Sequence, residues 1–242
     1  MTRPATRRRD KLAPDPDVRR AIVVAASKSV REQGVRGLSI AAVLDGAQLS
    51  TRAFYRHFES KDQLVAAVFL EMARIEMRRL KKKMSKAVTP VEAVAAWIDG
   101  RFDLAFDETI KSDLRQLSLD AQSQMFASPE LIQPAYAQML EPLTEQLQRG
   151  LEVGVFHGID PMSDAQSIQG VVWASTERHW TTGDCERDDV RRTTLQFCLR
   201  GLGVASQTIA QLALHDSSEE TPWTWASVDR EPSSPAAARA WG

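Results

Sequence analysis

A chain of 242 residues with 43% hydrophobic and 26% charged side chains and a net charge of −1 has a globular make-up, and none of its apolar runs approaches the roughly 18 residues of a membrane-spanning helix. Its basic N-terminus leads into no apolar segment, which argues against a secretory signal, and Cys185 and Cys198 lack metal-ligand or redox spacing, so a reduced cytoplasmic compartment is expected. The near balance of charge hides an asymmetry: residues 1–60 hold 12 Lys and Arg against 6 Asp and Glu, while the remainder holds 19 against 26. A basic end on an acidic body is either a seat for a polyanion or a basic disordered tail.

Taken in chain order, residues 1–14 are polar, basic and broken by proline, which predicts a flexible arm. Asp15 and Pro16 then start a helix, because Asp accepts from free first-turn N–H groups and Pro tolerates the first helical position. Val18, Ile22, Ala25, Ala26 and Val30 follow at helical spacing and Gly34 supplies the stop, predicting a helix over 16–33. Ser39 caps a short helix to about Gly46 with Ile40, Val43 and Leu44 on its inner side, and Ala47, Gln48 and Leu49 form a turn. Ser50 caps a second short helix from Thr51 to about His57, and Ser60 caps a long one with Leu64, Val65, Val68, Phe69, Met72 and Ile75 at three- and four-residue intervals. Two short helices between longer ones are the pattern of a helix-turn-helix in a small helical domain.

Further helices are predicted over 90–108, 112–127, 129–150, 163–181 and 187–212, with Pro134 and Pro142 bending or starting the third of these. No alternation long enough for a strand occurs, so the fold class is all-α. From about 216 the Ser-, Glu-, Pro- and Ala-rich composition predicts a disordered tail. The Lys81-Lys82-Lys83 run reads as a solvated helix face.

The segment Gly34 through Leu64, and above all Phe54-Tyr55-Arg56-His57-Phe58-x-Ser60-Lys61-Asp62-x-Leu64, resembles the TetR family of bacterial transcriptional regulators in residue type, order and spacing. The resemblance covers roughly fifty residues. It implies an N-terminal three-helix DNA-binding domain, 15–62, and a C-terminal helical ligand-binding and dimerisation domain, 63–215, flanked by the arm 1–14 and the tail 216–242. Leu151 to Phe156 is similar to the loop that precedes the family's last two helices.

The residues also have a physical reading. A helix entering the major groove needs a narrow N-terminal face with groups that reach base edges, which Thr51, Arg52 and Ala53 supply behind Ser50. Tyr55 and His57 can donate to phosphates from the flanks, Lys61 adds a cation in the first turn after Ser60, and Ser39 has a similar role at the start of the preceding helix. Arg56 is divided between a phosphate contact and solvent, and Arg52 has a plain solvated cation as its alternative. Phe54 and Phe58 are expected in the core. Two positions depart from the family: Gln48 stands where it usually has Gly, at a turn that would strain Gln if left-handed, and Ala41-Ala42 stands where charges are common.

The resemblance further implies a homodimer reading an inverted-repeat operator on double-stranded DNA, paired through the last two long helices. Ile168, Val171, Val172 and Ser175 can line one face and Val190, Thr194, Phe197, Cys198 and Leu202 the other, unless these faces pack only within the chain. It also implies a small, hydrophobic effector, with Trp97, Phe102, Phe106, Met125, Phe126, Tyr136, Met139 and Trp173 as candidate lining, although such a stripe also suits a plain core. Glu177, Arg178 and His179 could add polarity to that lining, or form a solvated helix end. No cofactor, metal or membrane partner is expected. The four His at 57, 157, 179 and 215 show no metal spacing, and no nucleophile, phosphate-loop or dinucleotide motif points to an enzyme. A repressor is the family's usual form; a transcriptional activator, or an interaction module that has lost DNA binding, are the alternatives.

Overall fold

The computed structural model describes residues 15–107, 111–183 and 186–214, and the described residues contain helices and no strand. In chain order the helices are α1 Pro16–Gly37, α2 Ile40–Gly46, α3 Thr51–Phe54, α4 Lys61–Met84, α5 Pro90–Ala105, α6 Lys111–Ala127, α7 Pro129–Glu152, α8 Pro161–Thr182, α9 Arg187–Gly201 and α10 Ser206–Leu214. The predicted arm and tail lie outside the described residues. None of the described helices is long and apolar enough to cross a membrane.

The described residues of 1–74 with 116–138 form one compact unit and those of 75–115 with 139–242 a second, so α4, α6 and α7 each contribute to both. In the first, α1 packs on α2 and α3, and α2 on α3. Its apolar stripe Ile22, Val23, Ala26 and Val30 is buried, as are Val43 and Leu44 of α2 and Leu64, Val65 and Val68 of α4. Asp15 caps α1 by accepting from the Asp17 N–H at 2.9 Å. The expected stop at Gly34 is present as a break, with φ 71° and ψ 171°, after which one further turn runs to Gly37.

In the second unit α5 is buried on almost every side, with Val94, Trp97, Ile98 and Phe102 at 0% exposure, and it packs against α8 and α9. Leu143 and Leu147 of α7, Ile168 and Val172 of α8, and Leu195 and Leu199 of α9 join the same core. Phe156, from the loop after α7, packs against that helix at Gly150, where an added Cβ would overlap its ring. The Asp99 carboxylate takes Arg191 Nε at 2.6 Å and Nη2 at 3.0 Å, while Arg191 Nη1 donates to the Leu212 and Ala213 carbonyls. One buried guanidinium thereby ties α5, α9 and the end of α10 together.

Four expectations need correction. The helix predicted over 187–212 is two helices, because Leu202 ends α9 and Gly203 takes φ 79°. Pro134 and Pro142 do not start α7, which runs from Pro129 to Glu152. Lys83 is not on a solvated face: it is buried and donates to Asp103 at 2.7 Å, whereas Lys81 is exposed beside Glu141 and Glu145. His179 is buried too, its ring stacked on Phe106 with centroids 3.8 Å apart.

Candidate nucleic-acid interface

The interface is built by two serine caps and one strained turn. Ser39 Oγ accepts from the Ala42 N–H at 3.4 Å and opens α2; Ser50 Oγ accepts from the Ala53 N–H at 3.3 Å and opens α3. Each cap satisfies a first-turn donor that would otherwise have no partner. Between them the chain reverses through Ala47, Gln48 and Leu49, with the Leu49 N–H donating to the Leu44 carbonyl at 2.9 Å. Gln48 has φ 55°, so the turn keeps the left-handed geometry that glycine takes without strain.

α3 is shorter than expected, Thr51 to Phe54, but its last turn continues loosely: Tyr55, His57 and Phe58 donate back to the carbonyls of Thr51, Phe54 and Phe54. This places the motif's aromatic rings inside, Phe54 at 0% and Phe58 at 3% exposure, stacked with centroids 5.6 Å apart. Tyr55 is turned outward, 63% exposed, its ring edge-on to Phe54. Thr51, Arg52, Arg56, Ser39 and Ser50 are exposed, while Ala53, His57 and Lys61 are half-buried. The Nδ1 atom of His57 is buried without a hydrogen-bond partner. Ser60 Oγ accepts from the Gln63 N–H at 3.1 Å and Gln63 Oε1 from the Glu59 N–H at 2.9 Å, a reciprocal cap that holds Lys61 in the first turn of α4.

Two contributors escape a reading of the motif. The Arg19 guanidinium lies 5.1 Å from the Phe58 ring centroid, a cation held against the back of the signature. Asp120 of α6 accepts from the Val35 N–H at 2.7 Å, at the break in α1. In both cases the partner is remote in sequence and no local pattern announces it.

Of the candidate effector-lining residues, Trp97 and Phe102 are fully buried, and Phe106, Met139 and Trp173 are half-buried, all in the second unit. Phe102 meets Phe106 edge-on, and Trp173 meets Trp180 edge-on, the latter donating from Nε1 to the Ala105 carbonyl at 2.9 Å. Trp97 Nε1 and Gln169 Oε1 are buried without partners. Tyr136 is half-buried in the first unit, and the side chains of Met125 and Phe126 lie outside the described residues. No group of three or more His, Cys, Asp or Glu suited to a metal ion occurs among the described residues.

The residues expected to meet a second copy divide sharply. Ile168, Val172, Val190, Thr194, Cys198 and Leu202 are buried within the single chain, and Ser175 shares a hydrogen bond with Thr194 at 3.2 Å between α8 and α9. Burial pushes the Cys198 thiol up to about 12. Val171 is half-buried and Phe197 is 64% exposed.

Residues 22–68 match the family model described as bacterial regulatory proteins, tetR family. A comparison with curated proteins finds no match. Among solved structures, the chain is similar to RolR in complex with resorcinol, with a TM-score of 0.63 and 22% identity over 83% of this chain and 94% of that one. It is similar to a regulator from Saccharomonospora viridis in complex with choline, with a TM-score of 0.58 and 16% identity over 76% of this chain and 96% of that one. FadR from Bacillus subtilis in complex with stearoyl-CoA gives a TM-score of 0.57 and 19% identity over 76% of this chain and 96% of that one.

Proposed function

We propose that this chain, a TetR-family regulator in its helix-turn-helix domain and its fold, works as a homodimeric repressor that reads an inverted repeat on double-stranded DNA and is released by a small ligand. The observation that carries the reading is the sorting of one short segment: Phe54 and Phe58 go inward, while Thr51, Arg52, Tyr55 and Arg56 stand exposed at and just after a serine-capped helix. Arg52 and Thr51 meet base edges. Tyr55, Arg56, His57, Lys61 and the hydroxyls of Ser39 and Ser50 position the helix on the phosphates, and Ala53 keeps its approach narrow.

The mate is met through what α8 and α9 leave outside. Gly170 and Ala174 are exposed on α8, Phe197 and Gly201 on α9, with Val171 beside them. A Cβ added at Gly170 or Gly201 would meet nothing within 4 Å, which leaves room for a partner helix to approach closely. Val171, Phe197 and Ser175 remain from the expected interface; its buried members support that surface from beneath. The effector enters the second unit, where Trp97, Phe102, Phe106, Met139 and Trp173 supply an apolar lining. The related structures hold resorcinol, choline and stearoyl-CoA, so the shared fold does not fix the ligand's chemistry.

The test is a titration of a duplex spanning the gene's own promoter against the full-length protein at several salt concentrations. Retention that weakens steeply with salt is expected. Arg52→Ala loses about tenfold or more in affinity, and Arg56→Ala lowers the salt slope by about one. Absence of retention, or variants indistinguishable from wild type, would sink the proposal.

A further inference from the structure

The break in α1 leaves a donor without a helical acceptor. Gly34, at φ 71° and ψ 171°, turns the chain out of the helix, so the Val35 N–H no longer faces the carbonyl one turn back. Val35 is 6% exposed, and water is not at hand to replace that acceptor. The replacement comes from α6: Asp120 Oδ2 accepts from the Val35 N–H at 2.7 Å, a short charge-assisted bond. The carboxylate fits because residue 34 has no side chain, since a Cβ there would stand 3.0 Å from Asp120 Oδ2 and 3.3 Å from Gln116 Nε2. Gln116, one turn earlier on α6, donates to the other oxygen, Asp120 Oδ1, at 3.1 Å and fixes its orientation.

The position of this bond gives it a consequence. Three residues lie between Val35 and Ser39, the cap of α2, and among them Leu38 is buried and its N–H returns to the Val35 carbonyl at 3.3 Å. The anchored amide therefore fixes the short turn, closed by Leu38, through which the chain enters the helix-turn-helix. We propose that Asp120 is a positioning residue for DNA reading: through the Val35 amide its carboxylate sets where α2 and α3 begin. The inference rests on the DNA-reading function proposed above.

Two measurements on the full-length protein test it. Amide exchange over residues 34–38 is expected to accelerate at least about tenfold in Asp120→Ala, with exchange in α5 and α9 unchanged, because a lost acceptor opens the site locally. Affinity for the promoter duplex is expected to fall by about tenfold, in the range of ordinary coupling between sites. Asp120→Asn keeps an acceptor and stays close to wild type in both, and this rescue separates positioning from a general loss of fold. Gly34→Ala, which crowds the carboxylate without altering α6, reproduces the Asp120→Ala pattern. Unchanged exchange at 34–38, or accelerated exchange with unchanged affinity, overturns the inference alone. Failure of the wild-type protein to retain the duplex overturns it together with the proposed function.

Discussion

Gln48 carries the turn into α3 at φ 55°, the left-handed region in which a side chain crowds its own backbone. Its side chain is exposed, so no burial offsets that strain. Gln48→Gly is therefore expected to raise stability by about 1 kcal/mol, the relief of strain exceeding the added flexibility of the unfolded chain. Urea denaturation checks this: the midpoint rises with the slope unchanged, and an unchanged or lower midpoint would place the strain elsewhere. This strain was legible in the sequence, as was the inward turn of Phe54 and Phe58, because every residue that decides them lies within one short stretch. Asp120 was not legible. Its partner is 85 positions away, and nothing in the α6 sequence distinguishes a carboxylate that meets an amide from one that meets water. Arg191 and Asp99, 92 positions apart, were hidden for the same reason.

α4 and α5 are joined by charges that the periodicity of either helix conceals. Glu76 accepts from Arg79 Nε at 2.8 Å and from Arg101 Nη1 at 2.8 Å, and Arg79 also donates to the Gly100 carbonyl. Burial alone would push the Glu76 carboxyl up, but the charges and hydrogen bonds of Arg79 and Arg101 outweigh it and hold the group at about 2. A carboxyl whose folded value lies below its ordinary 4.5 stabilises the fold fully above that pH and loses its contribution as pH falls toward about 2. The linked stability is on the order of 3 kcal/mol. Glu76→Gln is expected to be less stable than wild type at neutral pH by a similar amount and to converge with it near the bottom of that window. Urea midpoints from pH 7 to pH 2 read this directly, and a constant gap across the range would show that the loss is packing and not charge. Helix existence was otherwise well marked, since apolar spacing, serine caps and prolines reveal α1 to α5 with only end residues uncertain. The break between α9 and α10 was missed because Gly201 and Gly203 also suit close helix packing, and only backbone geometry separates the two uses.

Phe197 is the anchor of the proposed dimer. It stands 64% exposed on α9, whose inner positions Val190, Leu195, Cys198 and Leu199 are already buried in the chain's own core. A large exposed aromatic one turn before exposed Gly201, where an added Cβ would meet nothing within 4 Å, supplies an anchor and room for the second backbone of the proposed twofold interface. The DNA reading proposed above depends on such an interface, because one short helix contacts too few base pairs for selectivity, whereas two linked copies would add avidity of about 10²–10⁴. Phe197→Glu places a charge beside its own symmetry mate and is expected to yield a folded monomer. Sedimentation at micromolar concentration would then register half the wild-type mass, with helical content unchanged, because the substituted side chain is outside the core. Promoter affinity falls in the same variant by about 10²-fold or more as bivalence is lost. Val172→Glu provides the contrast: that side chain is 1% exposed, so a charge there unfolds the second unit instead of separating two intact chains. A Phe197→Glu protein that remains dimeric would move the proposed interface off α9.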